Sequence, residues 1–365
     1  MSPLEAQVAL NMLTGIGPVR CRRLIRHFGS ALQVLEAEYR SLLEVEGIGK
    51  ELAKTVTDWQ KHADPVAEIK AAHAMGIRLI TPEDPTFPPY LLEAYDAPLL
   101  LYCWGNIEAM DQQAIGVVGS RRCSHYGLHS SRKLTYQLAS CGMTIISGLA
   151  RGIDTSAHEA AIAAGGRTIA ILGSGLGQLY PAENEALAQR IAGGHGAVIS
   201  EYPLNTRPDR GTFPMRNRII AAWAQALLVI ECPDKSGSLI TANLAAEYGR
   251  PVFVVPGYID SKNFIGSHRL IRDGATLITD GSDVLEDLGG MHVPTPPPSA
   301  MQEARNSMLN ADQSRILECI GNQCMTADEL MEACDLSAAT VTRSLTLLEI
   351  HGMIKSQPGA TYAIT

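Results

Sequence analysis

Short apolar runs alternate with longer helical stretches through the middle of the chain. Several of the runs are continuously apolar, which is typical of parallel strands that are buried on both faces of a sheet. Because helical crossovers join such strands, the pattern predicts a doubly wound α/β domain with a Rossmann-like, mostly parallel sheet. The runs comprise residues 114–118, 143–146, 168–172, 197–199, 226–230, 252–255 and 276–278.

Two similar units precede this domain, and each is predicted to form a helix, a tight turn and a second helix. Residues 10–28 contain Gly15-Ile16-Gly17-Pro18, and residues 43–59 contain Gly47-Ile48-Gly49-Lys50. Paired glycines permit a sharp reversal and leave backbone N–H groups free at a helix start, where a phosphate can bind. Residues 1–64 carry eight basic and eight acidic side chains, so a phosphate contact and simple packing into a helix-hairpin-helix (SAM-like) domain both stay open.

A proline-rich stretch separates the Rossmann-like domain from the C-terminal part of the chain. Four prolines between positions 294 and 298 favour an extended spacer over residues 291–310. Beyond it, helical stretches precede two short strands that a turn at Gln357-Pro358-Gly359 joins, a pattern that predicts a winged helix. Its helices are predicted at 312–320, 327–333 and 337–351. The predicted domains are residues 1–64, 65–290 and 311–365, with 291–310 as the linker.

Charge is unevenly distributed along a chain whose formal net charge is −8 over 365 residues. Residues 114–218 contain eleven Arg and Lys against six Asp and Glu, so a nucleic-acid surface is expected in this segment. Residues 311–365 contain three basic and seven acidic side chains, and the predicted recognition helix has Arg343 as its one fixed cation. This composition favours a protein contact over DNA reading for the winged helix.

Eight cysteines are scattered along the chain, with no Cys-x-x-Cys and no Cys/His cluster at zinc spacing. We expect them to be reduced, and we expect neither a metal nor a cofactor. No apolar run reaches the roughly 18 to 20 residues that span a bilayer, and Met1-Ser2-Pro3-Leu4-Glu5 lacks the basic start of a secretory signal. We therefore expect a cytoplasmic protein that does not contact a membrane.

Four loops with glycine follow predicted strands, and ligands of parallel α/β sheets bind at the carboxyl ends of the strands. In the first loop, Gly119 permits close approach, Ser120 can cap a helix, and Arg121 can hold a phosphate together with backbone N–H groups. Arg122 follows directly. The second loop contains Arg151, the third contains Gly173 and Ser174, and the fourth contains Lys235, Ser236, Gly237 and Ser238.

No common nucleotide fingerprint fits these loops. The glycines of the third loop are spaced G-x-G-x-G rather than G-x-G-x-x-G, and no acidic residue follows at the distance of a ribose site. None of the loops has the P-loop pattern, so we do not expect ATP hydrolysis. After the second loop, His158 is expected to be a structural histidine and Asp154 to cap a helix.

Arginines and an aromatic residue lie between the third and fourth loops. The stretch Phe213-Pro214-Met215-Arg216-Asn217-Arg218 is preceded by Arg207 and Arg210. Guanidinium groups hold phosphates while an aromatic face accepts a base, which suits a groove for single-stranded nucleic acid. We expect Arg216 and Arg218 to contact phosphate, whereas Phe213 either stacks on a base or packs in the core.

Together these motifs resemble those of the DNA-processing protein A family (DprA, also called Smf). The matching stretches include Val118-Gly119-Ser120-Arg121, Gly152-Ile153-Asp154, Phe213-Pro214 with Arg216-Asn217-Arg218, and Val255-Pro256-Gly257. The resemblance implies a non-catalytic protein that binds incoming single-stranded DNA, protects it and helps to load RecA recombinase in natural transformation, usually as a homodimer. It also implies that Arg121 lines the DNA pocket.

The sequence departs from the family at one point, because residues 207–218 contain no lysine where many relatives have one. Arginine is available there instead. The residues that we expect to contact DNA are Gly119, Ser120, Arg121, Arg122, Arg151, Gly173, Ser174, Phe213, Arg216, Asn217, Arg218, Lys235, Ser236, Gly237 and Ser238.

Two other functions were weighed against DNA binding. The fourth loop is similar to the Pro-Gly-Gly-x-Gly-Thr-x-x-Glu motif of the cytokinin-type phosphoribohydrolases, nucleotide-processing N-glycosidases that need a carboxylate beside the ribose. Thr241 stands where that glutamate is expected, which leaves Glu231 and Glu201 as nearby carboxylates. A winged-helix transcription regulator with a small-molecule sensor is the third possibility, and the acidic C-terminal segment disfavours it.

Overall fold

The computed structural model describes residues 1–289, 311–320, 325–334, 336–350, 354–357 and 361–364. The chain divides into two compact units, Met1–Pro294 and Thr295–Thr365. Nine strands form the sheet of the first unit. They are β1 (Ile77–Ile80), β2 (Leu101–Gly105), β3 (Ala114–Val118), β4 (Thr144–Ser147), β5 (Thr168–Ile171), β6 (Gly196–Ser200), β7 (Ala226–Val229), β8 (Val252–Val254) and β9 (Thr276–Leu277).

The strand order is β1-β2-β6-β5-β4-β3-β7-β8-β9. All neighbours from β6 to β9 are parallel, which confirms the predicted mostly parallel sheet, and each of the seven predicted runs overlaps one of these strands. Strand β9 is not a buried apolar strand, because both of its residues are exposed. Strands β1 and β2 were not predicted from the sequence. They pair antiparallel at one edge of the sheet, and Cys103 of β2 lies opposite Ile199 of β6.

Helices flank the sheet, and several precede it. They are α1 (Pro3–Met12), α2 (Pro18–Phe28), α3 (Ala31–Leu35), α4 (Tyr39–Leu42), α5 (Lys50–Thr57), α6 (Pro65–Ala74), α7 (Pro89–Glu93), α8 (His125–Ser140), α9 (Ile153–Ala163), α10 (Glu185–Arg190), α11 (Thr212–Trp223), α12 (Gly237–Glu247), α13 (Ile265–Arg272) and α14 (Gly281–Asp287). None of them, nor any other helix in the described residues, combines the length and apolar character that a membrane crossing requires.

Strand β3 shows why the central strands are apolar at every position. Ile115 and Val117 pack in one core with residues of α8 and α9, whereas Ala114 and Val118 pack in a second core with residues of α11 and α12. Successive side chains of a strand point to opposite faces, so a sheet covered by helices on both faces buries them all.

The N-terminal helices share cores with the sheet. Ala9 and Leu10 of α1 pack among the other N-terminal helices, together with Leu99, while Val8 of the same helix packs with Tyr102 of β2. Residue 64 falls within the compact unit Met1–Pro294, in which α1 contributes to both cores. The helices on both sides of each glycine pair do form, and α2 and α5 begin after Gly17 and Gly49.

The second unit is a winged helix, as predicted. Its elements are α15 (Ala311–Ile320), β10 (Met325–Thr326), α16 (Ala327–Cys334), α17 (Ala338–Ile350), β11 (Ile354–Gln357) and β12 (Thr361–Ile364). The strands form a sheet in the order β10-β12-β11, and Ile316, Leu330 and Val341 are completely buried in its core. The proline-rich linker predicted at 291–310, and Pro358-Gly359 of the predicted turn, lie outside the described residues.

The strand order reverses beside β3. The chain progresses from β3 outward to β6 and then returns to β7 on the other side of β3. Loops that leave the carboxyl ends of β3 and β7 therefore diverge to opposite faces of the sheet, and the crevice between them is the usual ligand position in such folds.

Candidate nucleic-acid interface

A groove of about 670 Å³ lies at this reversal point. The loops after β3 and β7 and the first turn of α11 line it, and a smaller cavity of about 160 Å³ adjoins it beneath Tyr180. The predicted site residues that line one or both are Gly119, Ser120, Arg121, Arg122, Arg151, Phe213, Arg216, Asn217, Lys235, Ser236, Gly237 and Ser238.

The turn after β3 holds two arginines at the groove. The Ser120 N–H donates to the carbonyl oxygen of Glu231 at 2.9 Å, and the Ser120 hydroxyl oxygen accepts from the N–H of Arg122 at 3.1 Å. These bonds fix the turn while Arg121 and Arg122 stay exposed. A Cβ atom at Gly119 would lie 2.5 Å from Ile153, so close packing of α9 requires glycine at this position.

A buried carboxylate anchors the start of α8 next to this turn. Glu231 is completely buried, and its oxygens accept hydrogen bonds from the Ser124 N–H at 3.0 Å, the Ser124 hydroxyl at 2.5 Å and the Asn263 amide at 2.9 Å. A buried carboxylate is stable only when such donors surround it. Glu231 therefore supports the groove from below.

Asp154 differs from its expected role as a helix cap. Its Oδ2 accepts hydrogen bonds from the N–H groups of Gly148 at 3.1 Å and Ala150 at 3.3 Å, so it fixes the loop before α9 and does not cap that helix. Burial raises the pKa of the Asp154 carboxyl, and the charge of Arg216 opposes this rise.

Arg216 lies beneath the groove, with only 3% of its surface exposed. Its guanidinium donates to the carbonyl oxygen of Gly148 at 2.7 Å, to that of Ile171, and to the Asn217 side chain at 2.9 Å. Burial lowers the pKa of Arg216 to about 10, so it remains protonated at neutral pH. Arg216 thus ties the ends of β4 and β5 to α11 and adds a positive charge to the floor of the groove.

The structure does not bring Arg218 to the groove, contrary to our expectation. It lies 4% exposed between Glu201, with which it forms an ion pair, and the carbonyl oxygen of Asp96, to which it donates at 2.8 Å. An α-helix turns about 100° per residue, so two positions after Arg216 the side chain faces the opposite side of α11. Arg218 therefore attaches the helix to its neighbours.

Phe213 forms an aromatic wall of the groove. It is half-buried, the guanidinium carbon of Arg121 lies 4.9 Å from its ring centroid, and the ring of Tyr180 lies 5.8 Å away. The arrangement places an exposed cation and a partly accessible ring together, as single-strand binding sites do. Tyr180 was not among the predicted site residues.

The fourth loop adds a lysine and the start of α12. Lys235 is exposed, and the Ser236 hydroxyl caps the helix by accepting from the N–H of Ser238 at 3.2 Å. A Cβ atom at Gly237 would have open space around it, with the Asn217 amide nitrogen as the nearest atom at 3.9 Å. A helix start beside a lysine favours an anion at this end of the groove.

Gly173 and Ser174 lie behind the groove. A Cβ atom at Gly173 would come within 2.7 Å of Phe213, so this glycine allows α11 to pack against the loop. Ser174 is 1% exposed and has no access to a ligand. Arg151 reaches the smaller cavity, where its guanidinium pairs with the carboxylate of Glu183.

Arg210 and Asn263 are among the groove residues that were absent from the predicted site. Arg210 is exposed and lines the groove three positions before Phe213. The arginine-rich stretch was the signal that could have included it. Asn263 reaches the groove from the segment between β8 and α13, which had no recognisable motif.

His158 is a structural histidine, as expected. It is completely buried, and its Nδ1 lies 2.6 Å from the hydroxyl of Thr168. That hydroxyl donates to the carbonyl oxygen of Ile145 at 2.7 Å, so Nδ1 of His158 carries the proton and donates to it. Burial lowers the pKa of His158 to about 3, which keeps the ring neutral.

Comparison with known proteins identifies related chains over nearly the whole length. Residues 78–289 match the family DNA recombination-mediator protein A, and residues 294–360 match the DprA winged helix domain. The chain is similar to Protein Smf from Synechocystis sp., with 33% identity over 97% of both chains.

Two solved structures are similar to this chain over more than half of its length. The X-ray structure of DprA from Streptococcus pneumoniae shares 34% identity at a TM-score of 0.69, and the match covers 79% of this chain and 99% of that chain. DNA processing protein A from Helicobacter pylori, whose structure concerns its single-stranded DNA binding mode, shares 30% identity at a TM-score of 0.52, with 58% and 95% covered.

Proposed function

The chain belongs to the DNA recombination-mediator protein A (DprA) family, and we propose that its groove binds single-stranded DNA without reading the base sequence. One observation carries this proposal. The exposed cations Arg121, Arg122, Arg210 and Lys235 line the same groove as the half-buried ring of Phe213, at the reversal point of the sheet. The relative from H. pylori, whose described property is single-stranded DNA binding, supports it.

The chemistry of the groove fits a sequence-independent ligand. Guanidinium and ammonium groups hold phosphates, which are the same at every nucleotide, and an aromatic ring stacks on any base. Neutralising a phosphate releases a counterion, so each contact adds about 0.7 to the slope of log affinity against log salt for single strands.

Substitution of Arg121 tests the proposal. Arg121→Ala removes an exposed phosphate-holding group, so it should weaken binding of unrelated oligonucleotides alike and flatten the salt dependence by about 0.7. Fluorescence anisotropy with oligothymidylate and mixed-sequence oligonucleotides, repeated over a salt series, measures both effects.

Arg190→Ala is the matched control. Arg190 is also exposed, but it is the last residue of α10, and the chain continues from there to the amino end of β6. The groove lies at the carboxyl ends of the parallel strands. We expect this variant to bind like the parent. Parental affinity and salt slope for Arg121→Ala would show that the proposed groove is not the binding site.

We further propose that the protein protects incoming DNA and helps to load RecA recombinase in natural transformation. Family membership supports this role. The parent should accelerate assembly of RecA on single-stranded DNA, and Arg121→Ala should not, because the strand must be held to be transferred. Equal RecA assembly with and without the parent protein would contradict the proposal.

We also propose that the protein acts as a homodimer. Strand β9 is an edge strand of the sheet. Its Leu277 is 47% exposed, and Ile265 of α13 is 42% exposed. An open edge with apolar side chains favours association with another chain. Light scattering at micromolar concentration should give twice the monomer mass, and a monomer mass would rule out the dimer.

A non-catalytic role is proposed in preference to the N-glycosidase alternative. Glu231 is held by three donors below the groove, and Glu201 is paired with Arg218 away from it. Thr241 stands in the place of the phosphoribohydrolase glutamate, and its hydroxyl donates to the Gly237 carbonyl oxygen at 3.0 Å. Incubation with nucleoside monophosphates should release no free base on chromatography, and release of base would revive the alternative.

A further inference from the structure

The exposed face of α8 carries a stripe of basic and polar side chains that starts at the groove. His125, His129 and Arg132 are exposed and occupy positions i, i+4 and i+7, so they line one side of the helix. Arg122 lines the groove three residues before His125. With a rise of 1.5 Å per residue, Arg132 lies about 10 Å along the helix from His125.

The chain segment that carries this stripe contains no acidic residue. Between Asp111 and Asp154 the chain has five Arg and Lys and no Asp or Glu. The neighbouring helix α9 exposes a single charged side chain, Glu159. Helix α14 packs on the flank of α8 that carries Lys133, and its Asp280 cap pairs with Lys133 while Asp283, Glu286 and Asp287 follow in the helix. These acidic groups oppose the positive potential on that flank, whereas the stripe itself carries basic and polar side chains.

Contacts within the protein engage the flank of α8 and leave the stripe open. Lys133 Nζ lies 3.0 Å from the Asp280 carboxylate, and the Tyr126 hydroxyl donates to the Pro256 carbonyl oxygen at 2.9 Å. Given about 100° per residue, Lys133 lies about 70° and Tyr126 about 95° around the helix from the centre of the stripe. Among the residues that the structure describes, none pairs with the guanidinium of Arg132.

We propose that this stripe extends the binding path, so that a single strand leaving the groove past Arg122 runs along α8 to Arg132. The inference rests on the proposed function and adds a second contact region to it. Arg132 holds a phosphate as a fixed cation, and the ring N–H groups of His125 and His129 donate to phosphate oxygens.

The path fits a flexible strand better than a duplex. Duplex DNA has a persistence length of about 50 nm, so it does not bend from a crevice onto a helix surface within a few nucleotides at low cost. A single strand can follow this turn. The partner chemistry is therefore an extended phosphodiester chain that is longer than the groove itself.

A length series of oligothymidylates tests the extension. With short oligonucleotides that occupy the groove, Arg132→Ala should bind like the parent. Above a threshold length, its affinity should fall about three- to fivefold, as for one exposed ion pair, and its salt slope should drop by about 0.7. The triple variant His125→Ala, His129→Ala, Arg132→Ala should show a larger loss at the same lengths, and Arg190→Ala should show none.

The outcomes separate this inference from the proposed function. If Arg121→Ala weakens binding at every length while the Arg132 and triple variants match the parent throughout, the stripe is not part of the path and the groove remains the site. Equal losses at all lengths for Arg132→Ala, or equal competition by duplex DNA of the same length, would also overturn the extension. Parental binding by Arg121→Ala would instead remove the proposed function.

Discussion

Arg216 and Arg218 of α11 are both buried, yet they have different tasks. Arg216 donates to the ends of two strands and lines the groove, whereas Arg218 pairs with Glu201 beside Asp96. A pair of arginines in sequence suggests a shared phosphate site, but the helical rotation separates their faces. The sequence therefore predicted the positive charge of this helix, but not which side of the helix each arginine side chain faces.

The Arg218 ion pair leads to a prediction that separates stability from binding. Arg218→Met leaves the carboxylates of Glu201 and Asp96 buried without their cation, so the free energy of unfolding should fall by about 3–5 kcal/mol in urea denaturation. At a temperature where the variant is folded, its affinity for oligothymidylate should equal that of the parent.

Arg121→Ala is the reciprocal control for this prediction. Arg121 is exposed, so its removal should change the free energy of unfolding by less than about 0.5 kcal/mol while binding is weakened. A folded Arg218→Met protein that loses DNA affinity as strongly as Arg121→Ala would restore Arg218 to the binding site.

His158 predicts how stability depends on pH. Its pKa is about 3 in the folded protein and about 6.5 in the unfolded chain, so between these values only the unfolded state takes up the proton. Stability should therefore fall as pH decreases below about 6.5, at up to about 1.4 kcal/mol per pH unit from this group.

Comparison with His158→Gln isolates this contribution. Burial raises the pKa of Asp154 and of Glu201, which has the opposite effect on acid stability, but both groups are common to parent and variant and cancel in the difference. Urea denaturation from pH 7 to pH 4.5 should show a steeper loss for the parent. Parallel curves would mean that the buried ring does not resist protonation.

At the scale of elements, loop glycines determine how closely the groove floor packs. A Cβ atom at Gly148 would lie 2.6 Å from the guanidinium carbon of Arg216, which hydrogen bonds hold in place. Gly148→Ala should therefore lower the free energy of unfolding by about 1–3 kcal/mol and weaken DNA binding, because Arg216 must move. Thermal denaturation and anisotropy measure the two effects.

Gly237 provides the matched control for the stability effect at Gly148. It also borders the groove, but the nearest atom to an added Cβ would be 3.9 Å away. Gly237→Ala should keep the parental free energy of unfolding within a few tenths of a kcal/mol. Equal losses in both alanine variants would show that backbone freedom, rather than the space around Arg216, explains the glycine at position 148.

The sequence predicted those elements whose signal is local. Residues 114–118 and 226–230 are apolar throughout because helices cover both faces, and that requirement is visible in each run. By contrast, β2 pairs with β6, which places Cys103 opposite Ile199 across almost one hundred positions of sequence. No local pattern specifies such a pairing, and the same reason left Asn263 outside the predicted site.

At the scale of the whole molecule, the net charge of −8 conceals the binding surface. Helix α8 and most residues of the groove belong to residues 114–218, which have eleven basic and six acidic side chains, so the acidic excess lies in the rest of the chain. Salt at 0.15 M screens exposed charges beyond about 8 Å, so distant acidic residues oppose the approach of DNA only weakly.

The distribution of cores predicts which parts of the chain can be removed. The unit Met1–Pro294 contains the sheet, the groove and the N-terminal helices, so a protein ending at residue 294 should fold and bind oligothymidylate with the parental affinity and salt slope. Removal of residues 1–64 should instead expose Leu99 and the partners of Val8, and the product should aggregate or unfold at a much lower temperature. Circular dichroism, thermal denaturation and anisotropy on the two truncated proteins test this asymmetry.

If the protein that lacks residues 1–64 were as stable as the parent, the shared cores would be energetically unimportant. If the protein ending at residue 294 lost its affinity, the winged helix would have to contribute directly to DNA binding, despite its acidic composition.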